Sequence, residues 1–247
     1  MSMTKPIIMN EASFQYAVRF SEDIALYADI LEAFRRGAAE VVYDSDTALL
    51  LKHRTYNLYM LAAEEKEARP LFDRIEAAAS NSLARGYVVA RGEGVAAYAK
   101  KLGYESTTAL TQVLYEKTEA PGIEKTLVIR MPDDRDFEKV TATYDIVADE
   151  ELWRDFKSGE FFGGYKDGRM VGYIGLHAEG SMGMLHVFEE YRGNGYAKEL
   201  YSFLIDWQLK RGRIPYGQVF QDNEASIALQ KSFGLTFSKE PVYWLWK

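Results

Sequence analysis

The residues with the most chemical content lie in one stretch, EYRGNGYAKEL, Glu190–Leu200. Two glycines, Gly193 and Gly195, stand beside Arg192 and directly before an amphipathic run. Glycine lets a backbone approach a ligand closely and adopt positive φ. The first N–H groups of a helix have no partners inside the helix, and the dipole there favours negative charge. Arg192 adds a charge-assisted donor. The stretch is therefore a candidate anion site, with a tight strand-to-helix turn as the plain alternative. Spacing narrows the ligand. A dinucleotide fingerprint needs G-x-G-x-x-G, and Lys198 stands where the third glycine would be. A Walker loop needs G-K-[ST], which does not occur here. What fits is R-x-x-G-x-A: Arg192, Gly195, Ala197.

Strands and helices must hold this stretch in place. LHVFEEY before it reads as a strand, and AKELYSFLIDWQLKRG after it as a helix with Ala197, Leu200, Tyr201, Leu204 and Ile205 on one stripe. Upstream, strands are expected near GEFFGGY, MVGYIGLHA and MGMLHVF, with turns at KDGR and EGS. Downstream come the strand PYGQVF, the helix EASIALQKSF stopped by Gly234, and a last strand in VYWLW. The first ~45 residues read as helical, with Ile24, Tyr27, Ala28, Leu31 and Phe34 at helical spacing and Gly37 as a stop. Strands TALLLK and YNLYMLAA, a helix ARPLFDRIEAAASN, a strand GYVVA, a helix GVAAYAKKLGY and a strand ALTQVLYEK complete the first half. Tyr87–Tyr104 and Tyr216–Leu235 run in the same order of strand, turn, helix and glycine, which points to a divergent internal duplication. The linker is expected within residues 116–125, where charge, Pro121 and Gly122 cluster, or later, near MPDDRDFEK.

Composition limits the possible functions. A chain of 247 residues accommodates one large domain or two of about 120. It is 47% hydrophobic and 27% charged, as ordinary globular chains are. The net charge of −7 argues against a nucleic-acid partner, which would need an excess of Lys and Arg. With no cysteine there is no disulfide, thiolate metal site or cysteine nucleophile. His53, His177 and His186 are too scattered to suggest a metal site. MSMTKPIIMNEASF lacks the apolar core of a secretory signal, and no run of 18 apolar residues exists, so a cytoplasmic protein without a membrane partner is expected.

The loop, the strand LHVFEEY and the later QVFQDNEASIALQKSFGL together resemble the GNAT superfamily of acyl-CoA-dependent N-acyltransferases. The resemblance runs from Phe161 to Leu235. MGMLHVFEEYRGNGYAKELYSFLI with the VYWLWK tail looks most like the glycine N-acyltransferase branch. It implies an α/β (α+β) fold of two tandem GNAT-like domains, each a mixed, mostly antiparallel sheet flanked by helices. Residues 1–122 would be a degenerate domain without a cofactor site, and 123–247 the catalytic one. In the first half AAEEKEARPLF occupies the loop's place, and Glu64, Glu65 and Glu67 replace the glycines, crowding and repelling a pyrophosphate.

The resemblance also implies the chemistry. Acyl-CoA, expected to be acetyl-CoA, would be the cosubstrate, without a metal, and a small-molecule amine or amino acid would attack the thioester directly. The protein would supply positioning, a base and carbonyl polarisation. Leu185, His186 and Val187 would meet the pantetheine arm. Arg192, Gly193, Asn194, Gly195, Tyr196 and Ala197 would cradle the pyrophosphate. Asn223 would either face the cofactor or serve as a plain helix cap. Glu179, Ser181 and His186 are the catalytic candidates: family members often carry a glutamate where Ser181 stands, Glu179 lies two residues earlier, and His186 titrates in a useful range. Gln230 stands where relatives often carry a tyrosine acid, and glutamine cannot donate a proton as an acid. Two other readings stay open: a CoA-binding regulatory module without turnover, and a tandem-GNAT ligase that transfers an aminoacyl group. Assembly as monomer or homodimer is open as well.

Overall fold

The computed structural model describes residues 22–79, 86–144 and 148–247. The helix expected in FQYAVRF lies outside them. The described chain forms two compact units, residues 1–116 with 218–247, and residues 117–217. These units are drawn differently from the expected sequence halves, because the tail of the second half packs in the first unit.

The first unit opens with a 3₁₀ turn, Ile24–Tyr27, and helix α1, Ala28–Arg36, closed by Gly37 at φ 61°. Strand β1, Ala39–Asp44, follows at once. This corrects the helical reading of the first ~45 residues: Val41, Val42 and Tyr43 are β-branched or aromatic and favour a pleated edge. Next come β2 (Ala48–His53), β3 (Leu58–Ala63), α2 (Glu65–Ala79), β4 (Tyr87–Arg91), α3 (Glu93–Lys101), β5 (Glu105–Ser106) and β6 (Leu110–Leu114). The last strand of the chain, β13 (Val242–Trp246), inserts between β4 and β6. It runs antiparallel to β4 from Val242↔Arg91 to Trp246↔Tyr87. Tyr243 and Leu245 thereby join a core with Leu50, Tyr59, Leu61, Phe72, Val88 and Val95.

A buried polar network braces this unit. Arg91 forms an ion pair with Asp29 and donates to the carbonyls of Leu26 and Leu61, both at 3.0 Å. Gln112 donates to Asp29 at 3.1 Å and accepts from Gln218 at 2.9 Å. Gln218 accepts in turn from the Trp244 indole at 2.6 Å. Chain segments distant in sequence are thus held by charged groups that cannot be left unpaired away from water.

The second unit contains β7 (Val128–Arg130), α4 (Phe137–Thr141), α5 (Asp149–Lys157), β8 (Phe161–Lys166), β9 (Arg169–Leu176), β10 (Met182–Val187) and α6 (Tyr196–Leu209). The chain leaves it inside β11, Tyr216–Phe220. α7 (Glu224–Ser232) and β12 (Thr236–Phe237) belong to the first unit. Strands β7 to β10 form an antiparallel meander in sequence order. Helices cover both faces, and the alternation of Phe161 and Phe162 shows how. Phe161 meets Phe156 of α5 at 5.3 Å, while Phe162 meets Phe203 and Trp207 of α6 at 5.0 and 5.3 Å. Buried Glu199 fastens α6 by accepting from the N–H groups of Thr126 and Leu127, each at 2.7 Å, and from the Thr126 hydroxyl at 2.9 Å. α4, α5 and β7 were not expected from the sequence; α4 and β7, of five and three residues, are too short for a periodicity signal, whereas the nine-residue α5 carries one in Leu152, Asp155 and Phe156.

Candidate functional site

Strand β10 is irregular where the chemistry was expected. Gly183 pairs with Gly175, but His186, not Leu185, lies opposite Tyr173. One extra residue is inserted, at Met184, whose φ is 51°. Such a bulge re-aims every side chain beyond it. Without it Leu185 would face Tyr173. With it the His186 ring stacks on the Tyr173 ring, centroids 5.5 Å apart and 15° from parallel, and tilts against Phe188 at 5.6 Å. Burial, and then the Arg192 charge, hold the imidazole below its ordinary pKa, so His186 is neutral at pH 7. Beyond Met182, which pairs in parallel with Gly217, β10 has only β9 as a partner among the described residues of this unit.

The loop after β10 is built as an open cradle. A 3₁₀ turn, Glu189–Tyr191, leads to Arg192, whose Nε donates to the Val187 carbonyl at 3.1 Å. The Asn194 amide donates to the carbonyls of Tyr191 and Arg192, at 3.0 and 3.2 Å, which shapes the bend. Gly193 and Gly195 have φ of 82° and 80°, and Gly195 is the N-cap of α6. Conformation, not crowding, requires glycine here, for a Cβ at either position would meet nothing within 4 Å. The backbone N–H groups of Gly193, Asn194 and Gly195 make no hydrogen bond among the described residues, and those of Tyr196 and Ala197 open the helix and have no intrahelical acceptor. Arg192, Gly193, Asn194 and Gly195 are exposed, while Tyr196 and Ala197 are partly so. This arrangement fits a phosphate group: free donors, the positive end of a fourteen-residue helix and a guanidinium. In the first unit Glu64 alone separates β3 from α2, so no comparable loop exists there.

The other two catalytic candidates meet between β9 and β10. Glu179 and Ser181 are both buried, at 3% and 1% exposure, and the Ser181 hydroxyl donates a short hydrogen bond to Glu179 Oε1. Glu179 is thus no solvated turn glutamate, although it lies in the β9–β10 turn. Tyr216 donates to its carbonyl at 3.2 Å. The His177 ring lies over the α-carbon of Gly183, where a Cβ would come within 2.2 Å of Nε2. Asn223, in the first unit, caps α7 by accepting from the Ser226 N–H at 3.1 Å. Gln230 is buried, and its Oε1 has no hydrogen-bond partner among the described residues.

Sequence reasoning missed three residues of this neighbourhood. Tyr173 links His186 to the helices, its hydroxyl 3.0 Å from the Thr143 hydroxyl. Tyr144 is raised above its ordinary pKa, chiefly by burial and then by Tyr173, Asp155 and Glu179. Asp155 is 7% exposed and has no hydrogen-bond or ion-pair partner for its carboxylate among the described residues. Burial first, then the charges of Glu151 and Glu179, push its pKa up to about 7. One signal was available: Asp155 shares the buried stripe of α5 with Leu152 and Phe156. Among the described residues no group of three or more His, Cys, Asp or Glu is placed to hold a metal, and no helix is long and apolar enough to cross a membrane.

Comparison with known proteins bears on this geometry. Residues 124–235 match the acetyltransferase (GNAT) family. A GCN5-related N-acetyltransferase from Kribbella flavida superposes with a TM-score of 0.57 at 12% identity, covering 91% of this chain and 94% of that one. A GNAT-family acetyltransferase from Colwellia psychrerythraea gives 0.50 at 15%, covering 83% and 84%. A tandem GNAT protein from the clavulanic acid biosynthesis pathway gives 0.50 at 16%, covering 95% and 94%. At such identities these likenesses speak for the fold alone. No curated protein matches the sequence.

Proposed function

From the GNAT fold as premise, we propose that this protein is an acyl-CoA-dependent N-acyltransferase, with acetyl-CoA as donor and a small amine or amino acid as acceptor. The observation that carries the reading is the open loop at the head of α6, where glycine backbone N–H groups and Arg192 stand ready for a pyrophosphate. Arg192 to Ala197 hold that group, and the backbone of Leu185, His186 and Val187, unpaired by any second strand of its unit beyond the bulge, lies along the pantetheine arm. Glu179 takes the ammonium proton, positioned by Ser181. His186 is a neutral ring beside the reacting carbonyl. The amine attacks the thioester directly, with which the absence of cysteine agrees. No protein acid is needed at Gln230, because a thiolate of pKa about 8.5 leaves unprotonated. Residues 1–122 are the duplicated half that lost the loop, and the protein acts in the cytoplasm as a monomer or homodimer.

Thermal shift with CoA and acetyl-CoA, together with free-thiol release across an amine panel, tests the proposal. Ligand at 100-fold over Kd adds about 2.7 kcal/mol, and thiol must appear with at least one amine. Absence of any shift at millimolar CoA refutes the reading. The buried Gln230 favours a second reading, a CoA-binding module, which the same panel identifies by a shift without thiol release.

A further inference from the structure

Aminolysis of a thioester takes two protons from the acceptor nitrogen, and a carboxylate such as Glu179 holds one. His177 is the other titratable side chain of the β9–β10 turn. Its N–H donates to the Ser181 carbonyl at 2.9 Å, and its carbonyl accepts from the Gly180 N–H at 2.8 Å. The pairs Leu176↔Met182 and Gly175↔Gly183 continue this register, so His177 lies opposite Ser181. Side chains so paired share one face of the sheet, and Gly183, two residues on, belongs to that face. The His177 ring leans over Gly183, where a Cβ would collide with its Nε2 and Cδ2. Glycine at 183 therefore makes the seat that the ring fills. The next residue is Met184, the bulge, and beyond it runs the backbone assigned to the pantetheine arm. Glu179 joins the same group through the Ser181 hydroxyl. The His177 ring is half-buried and makes no hydrogen bond or ion pair among the described residues. Other titratable groups reach this face from its neighbours. Tyr173 and His186 form the next row of the sheet. Asp155 lies on the buried side of α5 with Phe156, which packs on Phe161 opposite Gly175. Tyr144 belongs to the core that holds Tyr173 and Met184.

Resting on the acyltransferase reading, we propose that His177 is a second proton acceptor of the reaction, taking the proton that the acceptor nitrogen loses after attack. The ammonium first gives a proton to Glu179, and the freed lone pair forms the N–C bond at the thioester carbonyl. The tetrahedral adduct then carries a positive nitrogen, and its proton passes to the His177 imidazole. The carbonyl re-forms, and the C–S bond breaks with its electrons on sulfur. The imidazolium proton goes to the thiolate and the Glu179 proton to solvent, so the products are amide, CoA thiol and one proton. An imidazole suits this task because it takes up and returns a proton near neutral pH. His186 suits it less. Its ring is stacked on Tyr173, and burial and the Arg192 charge oppose an imidazolium there.

The probes are acetyl-CoA and the amine of the panel with the highest kcat/KM. His177→Phe fills the seat with a ring that cannot carry a proton. It should melt as the native protein does, bind CoA with unchanged Kd, and lower kcat by about 10²-fold, the lower end of what general base catalysis supplies. The acidic limb of kcat against pH that belongs to this imidazole should vanish with it. Gly183→Ala, whose methyl takes the ring's place, should lower kcat likewise. Imidazole added to His177→Ala should restore part of the rate. A readout free of turnover is the Hε1 resonance of His177, identified by its loss in His177→Phe, which should move when acetyl-CoA binds. The inference alone fails if His177→Phe keeps the native kcat, if it loses kcat with the pH profile unchanged, as a packing role would give, or if acetyl-CoA leaves the resonance where it was. A native protein that binds acetyl-CoA and releases no thiol with any amine overturns the acyltransferase reading, and the inference with it.

Discussion

Gly195 offers the sharpest test of the cradle. It combines φ 80° with space for a side chain, so conformational and ligand effects of a substitution separate. Any L-residue there bears a left-handed conformation costing about 1–2 kcal/mol. In a chain of this size that lowers Tm by roughly 2–8 °C. Gly195→Glu and Gly195→Gln carry this penalty equally, because they match in shape. Their difference is one negative charge near the expected pyrophosphate. At about 6 Å and an effective dielectric of about 20, one unit of like charge is worth about 3 kcal/mol, roughly a hundredfold in affinity. Isothermal titration with CoA should therefore show G195Q binding severalfold weaker than the native protein and G195E weaker still by up to two orders of magnitude. In 1 M salt the Debye length falls to about 3 Å, and the gap between the two variants should shrink to a few-fold. Circular dichroism melts should coincide for the pair. If G195E and G195Q bind CoA alike at low salt, no phosphate lies at this loop and the reasoning from its N–H groups is wrong.

Other perturbations address the remaining elements. Asp155 has a folded pKa of about 7 against an ordinary 3.8, so its contribution to stability is complete below 3.8 and is lost as pH rises through 7. At 1.36 kcal/mol per unit the loss has a ceiling of about 4 kcal/mol, and Asp155→Asn should flatten the fall in Tm between pH 5 and 8; parallel curves for the two proteins would contradict this. Glu179→Gln should lower kcat by about 10²–10⁴ with the CoA Kd unchanged, measured by thiol release and titration. Arg91→Met strands the buried Asp29 and should cost about 3–5 kcal/mol in urea unfolding, whereas a loss under 1 kcal/mol would show the pair to be dispensable. Ending the chain at Glu240 removes β13 from between β4 and β6 and should leave a product without a cooperative melt.

Much of the loop was legible in the sequence because its signal is local. Gly193 and Gly195 report positive φ by residue type alone, and Ala197, Leu200, Tyr201 and Leu204 report the helix behind them by period. The same holds for the strands that alternate and for Gly37, Gly168 and Gly234, all at positive φ. Three features depended on the folded chain. The bulge at Met184 puts His186 rather than Leu185 on Tyr173, and register depends on pairing with β9, which no property of β10 itself encodes. β13 is placed between β4 and β6, so the compact units cut across sequence order; partner choice among strands of similar composition is settled by the whole unit's packing. Asp155 on α5 and Glu179 in the β9–β10 turn are both buried, which neither residue's type reveals, and desolvation first of all raises the Asp155 carboxyl to about 7. Residue type and period determine which backbone can bind an anion, while desolvation and long-range register, which exist only in the folded chain, determine what faces it.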